Sequence, residues 1–134
     1  MKRLAVWIPI ITLLILSCAT MAEKKRMEGF EDSQNAFRLA LMASDFATAA
    51  RFVDPLVEQR EIDFEQYELI QIVEYKPVQV KVSEDLSRID QRVMLKYFSK
   101  KINYLRTAHY QQVWLYDQTH KVWLLQTELP VLNP

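Results

Sequence analysis

The sequence predicts an α+β domain in which N-terminal helices pack on a strongly curved antiparallel β-sheet of about four strands. Three observations indicate this class. Apolar residues recur at helical spacing between residues 30 and 53, they alternate with polar residues from about residue 68 onward, and turn-forming segments separate the alternating runs. Because the helices come first and the strands follow, we expect the helices to cover one face of the sheet.

A short export signal precedes the predicted domain. Lys2 and Arg3 form a cationic start, residues 4–16 are apolar apart from Thr12, and Ser17 stands before Cys18, the only cysteine in the chain. The apolar run is shorter than the about 20 residues that a transmembrane helix needs. We therefore interpret residues 1–17 as a cleaved signal peptide.

The end of this signal carries a recognisable motif. Ile15-Leu16-Ser17-Cys18 resembles the lipobox of bacterial lipoproteins, which implies cleavage before Cys18, acyl chains on this residue and attachment to a membrane. Ala19, in place of the aspartate that retains many such proteins in the inner membrane, implies the periplasmic side of the outer membrane of a Gram-negative cell. The alternative is a signal peptide that contains a cysteine by chance, or a buried thiol.

Signal removal leaves about 117 residues, the size of one domain. It also removes Lys2 and Arg3, so the 17 basic residues become 15 against 17 acidic ones, and the formal net charge becomes −2. This balance argues against a nucleic acid partner. Residues 18–29 show no apolar periodicity and are predicted to be a linker, whose basic Lys24, Lys25 and Arg26 either contact anionic headgroups or lie in solvent.

Two helices are predicted at the start of the domain, which spans residues 30–134. In the first, Phe30, Phe37 and Leu41 share a face; the second begins at Ser44 or Asp45 and ends before Pro55. Its apolar residues fall at i, i+3, i+4 and i+7: Phe46, Ala49, Ala50 and Val53. Residues 56–68 allow either a third short helix or an irregular approach to the sheet.

The strands follow from alternation. Val78, Val80 and Val82 alternate with polar residues, and Pro77 is expected at an edge strand or at a strand start. Residues 102–116 would extend over roughly 50 Å at about 3.3 Å per residue, which favours a curved or bulged strand.

Three segments carry a resemblance to a known superfamily. They are "ALMASDFATAARFVDP" (residues 40–55), "VEYKPVQVKVSED" (73–85) and "YQQVWLYDQTHKVWLLQTELP" (110–130). Together they resemble small exported members of the nuclear transport factor 2-like superfamily. The resemblance implies a cystatin-like, cone-shaped α+β fold around a pocket. The superfamily hosts isomerases, dehydratases, binding modules and dimerisation domains, so the fold alone does not select an activity.

Catalysis in such a cone would need an ionisable group in an apolar cavity. The candidates are Asp90, His109, Asp117 and His120. His109 is the candidate pocket residue because it shares its parity with the apolar residues of its strand. None of the four lies in a motif that an enzymatic family carries, so we assign no catalytic residue and expect neither metal nor cofactor. With one glycine in the chain, a glycine-rich phosphate loop is excluded.

An aromatic cluster suggests a different function. Tyr104, Tyr110, Trp114 and Tyr116 share one strand face, where exposed aromatic side chains would anchor an envelope protein or a second copy of the chain. Alternatively, the same residues fill the cone, because parity does not say which face is inside. The sequence thus favours a lipid-anchored, non-enzymatic binding or assembly module. The alternative is a pocket enzyme, isomerase- or dehydratase-like, or a carrier of a small apolar ligand.

Overall fold

The computed structural model describes residues 7–58 and 63–134, with side chains from residue 20 onward. The helices are α1 (Trp7–Met42), α2 (Phe46–Ala50) and α3 (Phe64–Glu68). The strands are β1 (Ile70–Val82), β2 (Arg88–Ser99), β3 (Tyr104–Asp117) and β4 (Val122–Leu125). They form one antiparallel sheet in the order β1-β2-β3-β4. The predicted class, α+β with N-terminal helices on a curved four-stranded sheet, is confirmed.

Helix α1 is a single helix of 36 residues, about 54 Å long at 1.5 Å per residue. The residues of the predicted linker, 18–29, therefore lie within this helix. Most of these residues, Gly29 being the main exception, are good helix formers, there is no proline among them, and most of residues 20–29 face solvent, so no apolar periodicity is needed there. The last of them already contact the sheet, where the Trp123 indole N–H donates to the Arg26 carbonyl at 2.9 Å. Residues 1–6 of the predicted signal lie outside the described residues.

The C-terminal half of α1 covers the concave face of the sheet with an apolar stripe. Phe30 and Phe37 meet the Trp114 ring edge-on, with ring centroids 5.9 and 5.6 Å apart, respectively. Phe30 also lies against Trp123, at 5.3 Å between centroids. Phe37, Leu41 and Trp114 are completely buried. Burial of such side chains stabilises the fold by about 1.5 to 3 kcal/mol each, so this contact is the centre of the core.

The second helix is shorter than the sequence predicts. The left-handed φ of 58° at Ser44 ends the α1 direction, and the Asp45 carboxylate then caps α2 by accepting the Thr48 N–H at 3.1 Å. The predicted helical residue Val53 instead bridges to Leu125 of β4. The residues at the end of this segment therefore pair with the edge of the sheet instead of continuing the helix.

The sheet consists of three long strands and one short one. Strand β1 is an edge strand that contains Pro77, as expected, and its register with β2 shifts between Ile72 and Glu74 and again between Pro77 and Gln79. Strand β4 has only four residues, because the chain then leaves the sheet and packs against its concave side, where Leu129 and Leu132 are buried. There the Tyr110 hydroxyl donates to the Glu128 carbonyl at 2.6 Å.

Candidate functional site

The two faces of the sheet have opposite characters. Along β2 the odd-numbered residues are buried and along β3 Tyr110, Gln112 and Trp114 are buried, so these side chains face α1. The alternate residues of both strands face away from α1, on the convex side. A pocket of the cone would lie on the concave face, whereas a binding surface could use the convex one.

A cluster of uncharged polar side chains lies within the concave core. The Gln112 Oε1 accepts three hydrogen bonds: from the Gln91 amide at 2.6 Å, the Trp114 indole at 2.9 Å and the Tyr75 hydroxyl at 3.2 Å. The Gln112 amide N–H donates to the Tyr75 oxygen at 2.9 Å. Gln91 also donates to the Gln34 Oε1 on α1. The cluster joins three strands to the helix. Its side chains form hydrogen bonds with one another.

The electrostatics of this core favour neutral groups. Burial raises the pKa of Tyr75 to about 12, because a phenolate there would lose its hydration. Burial likewise raises the pKa of Tyr110 well above its usual value. Both phenols are therefore protonated near neutral pH. They can donate and accept hydrogen bonds, but neither can act as a general base.

His109 does not lie in the concave core, and the prediction that it lines a pocket is wrong. It is exposed on the convex face, opposite Met94 in the register of β2 and β3. The physical reason is the pleat: Tyr110 and Trp114 face α1, so odd-numbered residues of β3 face away.

The other ionisable candidates are also on the surface. Asp90 lies on the convex face and pairs with Arg88, at 2.8 Å between Nε and Oδ2, and the hydrogen bond from Arg88 lowers the pKa of Asp90. At the end of β3, the Asp117 carboxylate lies 2.8 Å from the exposed His120 ring in the turn to β4, and the hydrogen bond between them lowers the pKa of Asp117. Both histidines of the chain thus lie away from α1 and the concave core.

The aromatic residues divide between core and surface. Tyr110 and Trp114 are buried, so the prediction that they form an interface is wrong and the alternative, that they fill the cone, holds for them. Tyr116 is half-buried beneath the Arg26 guanidinium, 4.5 Å from its ring centroid. Tyr104 is 67% exposed. Of the predicted interface residues, Tyr104 alone lies largely in solvent.

Two further predictions concern attachment to a membrane and metal binding. Cys18 lies within α1, but its side chain is outside the described side chains, so its lipidation stays a prediction. In the described part of the chain, no helix is both long and apolar enough to span a membrane. Within the same residues, His, Cys, Asp and Glu do not form any group of three that could hold a metal ion.

The sequence reasoning missed the centre of the convex face. Two cross-strand rows meet there: Lys76, Met94 and His109 in one, and Gln79, Arg92 and Gln111 in the next. We call the exposed polar residues of these rows the convex patch: Lys76, Gln79, Arg92, His109 and Gln111. Alternation in the sequence indicates that each is a strand residue. Only the pairing of strands far apart in the chain brings them together.

Comparisons with known proteins show similarity to solved structures but none to a family model or a curated sequence. A crystal structure of a proposed dehydratase of the NTF2-like family from Streptomyces avermitilis is similar, at 17% sequence identity over 81% of this chain and 98% of that chain, with a TM-score of 0.43.

Proposed function

We propose that this protein is a non-enzymatic binding or assembly module that a lipid on Cys18 holds at a membrane, and that it binds its partner through the convex face of the sheet. One observation carries the proposal. The chain's own helix α1 occupies the concave face of the sheet, while the described residues leave the convex face open to solvent.

The filling of the concave face supports binding rather than chemistry. Phe30 and Phe37 occupy its centre, and beside them lie the neutral, mutually hydrogen-bonded amides of Gln91 and Gln112. An isomerase- or dehydratase-like reaction would need an acid or base there. The histidines, which the alternative would use, lie on the outer surface. A carrier of a small apolar ligand would likewise have to displace aromatic side chains of the core.

The convex face has the size and composition of an interface. Strands of 12 to 14 residues at about 3.3 Å per residue, with about 4.8 Å between strands, give a face of roughly 40 by 15 Å, or about 600 Å². A standard interface buries about 800 Å² on each partner. The polar centre of the face is flanked by exposed apolar side chains, including Leu105, Leu115 and Val122. Such a mixture is typical of non-obligate interfaces.

The helix also suggests how the domain would be held. If cleavage occurs before Cys18, residues 18–25 form the part of α1 that precedes the first contact of Arg26 with the sheet. At 1.5 Å per residue this spacer is about 12 Å long, and a helix would position the domain more firmly than a flexible linker. Because Ala19 follows Cys18, we propose the periplasmic side of the outer membrane as its location.

A cross-linking experiment in native membranes tests both parts of the proposal. The full-length protein is cross-linked, purified and analysed by mass spectrometry, together with Cys18→Ser and with a matched pair of surface variants. Leu115→Arg alters the convex face and Leu39→Arg alters the exposed side of α1. We expect Cys18→Ser to leave the membrane fraction. We also expect Leu115→Arg to lower the capture of a defined partner by about tenfold, and Leu39→Arg to leave it unchanged.

The opposite results would contradict the proposal. If the Cys18 peptide of the parent protein has an unmodified mass, the lipid anchor is wrong. If both arginine variants capture the partner as well as the parent protein does, the convex face is not the binding surface.

A further inference from the structure

We infer that the convex patch docks an acidic surface of a second protein, with a pair of carboxylates about 7 Å apart, rather than a second copy of this chain. The inference deepens the proposed function and rests on it. It names the chemistry of the partner that the convex face would select.

The geometry of the patch is fixed by the sheet. Lys76 is opposite Met94, and Arg92 is opposite both Gln79 on β1 and Gln111 on β3. Lys76 and Arg92 are therefore diagonal neighbours on one face, about 7 to 8 Å apart at the backbone. All of the polar residues of the patch are exposed, so their donors are directed to solvent.

The charges around the patch leave two cations without a partner. Above the patch, Lys96 pairs with Glu74 at 3.3 Å, and below it Arg88 pairs with Asp90 at 2.8 Å. Neither Lys76 nor Arg92 forms an ion pair with any residue that the structure describes. The two rows of the patch contain no carboxylate. The neighbouring acids are thus engaged, and an incoming anion would meet free cations.

Self-association through this patch is disfavoured. A two-fold dimer that uses the convex patch as its centre has its axis through the patch, so the cations Lys76 and Arg92 of one copy would lie close to the same two cations of the other. Like charges placed opposite one another in an interface oppose association and suppress the wrong partner. A partner surface with negative charge would instead form ion pairs with Lys76 and Arg92.

The position and size of the patch favour a protein over a membrane or a nucleic acid. Arg92 lies five residues from Ser87 in the β1–β2 turn, or roughly 17 Å along β2 at about 3.3 Å per residue. The α1 spacer meets the domain at that turn, where Arg26 donates to the Asp85 carbonyl at 3.1 Å, so the patch is set well back from the anchored end. Nucleic acid binding usually neutralises 6 to 10 phosphates, which exceeds two free cations.

The spacing specifies the partner's carboxylates. Residues i and i+4 on a helix have Cβ atoms about 5 to 6 Å apart, and residues i and i+2 on a strand are about 7 Å apart. Either arrangement presents two carboxylates that Lys76 and Arg92 can reach together. The amides of Gln79 and Gln111 lie on both sides of Arg92 and can donate to the same anions.

The test is a binding titration with the full-length protein in detergent micelles. The probe is a fluorescein-labelled helical peptide with glutamates at i and i+4, and the comparison probes are a peptide of the same composition with separated glutamates, phosphatidylglycerol vesicles and a 20-base-pair DNA duplex. The patch variant is Lys76→Glu with Arg92→Glu. The matched control is Lys100→Glu with Lys101→Glu, which makes the same change of charge in the exposed β2–β3 turn.

We expect the patch variant to bind the paired-glutamate peptide about tenfold more weakly and the control to stay within about twofold of the parent. Equal losses in both variants would overturn the inference, because only overall charge would then matter. It would also be overturned if the patch change weakened vesicle or DNA binding more than peptide binding, or if sedimentation showed a dimer that the patch change dissociates.

The same variants separate this inference from the proposed function. In the membrane cross-linking experiment, a partner that Leu115→Arg loses and the patch variant retains would leave the binding function standing and refute the acidic partner. If Leu115→Arg and the patch variant both lose the partner while the Lys100/Lys101 control retains it, the binding function and the acidic partner are both supported.

Discussion

Replacement of Gln112 by leucine is the sharpest test of the concave core. The Gln112 Oε1 accepts hydrogen bonds from Gln91, Trp114 and Tyr75. Gln91 keeps an acceptor in Gln34, but the Trp114 indole and the Tyr75 hydroxyl would lose theirs. A buried donor without an acceptor costs about 1 to 3 kcal/mol. In Gln112→Leu two donors lose their acceptor, and the apolar burial of leucine offsets part of the cost. We therefore expect the free energy of unfolding to fall by about 2 to 4 kcal/mol.

The assay is urea unfolding of the full-length protein in detergent, followed by tryptophan fluorescence. Gln111→Leu is the matched control, because it makes the same chemical change at the next residue, which is exposed on the convex face. We expect the control to change the free energy of unfolding by no more than about 0.5 kcal/mol. Equal midpoints for Gln112→Leu and Gln111→Leu would refute the proposed arrangement of the core.

Three further outcomes are expected from urea or pH titrations of the same protein. Phe37→Ala should lower the free energy of unfolding by about 3 to 5 kcal/mol, whereas Leu39→Ala on the exposed side of α1 should have little effect; similar losses would contradict the helix orientation. Gly29→Ala should raise it by about 0.5 to 1 kcal/mol, because a Cβ would meet the Trp123 ring at 3.9 Å, an ordinary contact; a loss would show that this turn of α1 is not helical. Folding raises the pKa of Tyr75 from about 10 to about 12, so the contribution of this phenol to the free energy of unfolding is complete below pH 10 and about 3 kcal/mol smaller above pH 12. A free energy of unfolding that does not fall between these pH values more than it does in Tyr75→Phe would contradict the burial of Tyr75.

The alternation of apolar and polar residues was sufficient to predict the sheet, because a half-buried strand repeats every two residues. It could not decide which face of β3 is inside. Leu105, Val113 and Leu115 on one face compete with Tyr110 and Trp114 on the other. Aromatic side chains bury about 150 to 250 Å² each, and this larger area places Trp114 in the core and His109 outside.

Two other features escaped sequence reasoning for different reasons. Residues 18–29 are helical without periodicity, because an exposed helix needs no apolar face. Gln91 and Gln112 occupy inward positions that the apolar pattern assigns to core residues, but a polar residue there is not distinguishable from a surface one until its partners on other strands are known. The lipobox at Cys18, by contrast, is a local signal, and it remains a prediction.

Site-specific photo-cross-linking in native membranes would show whether the convex face is the binding surface. A photoreactive amino acid is placed at Gln111 in the convex patch, and in a second variant at Asn35 on the exposed side of α1. We expect a discrete adduct with a second protein from position 111, attached within an acidic segment, and none from position 35. Adducts from position 35 alone, or only copies of the chain linked to themselves at position 111, would contradict this expectation.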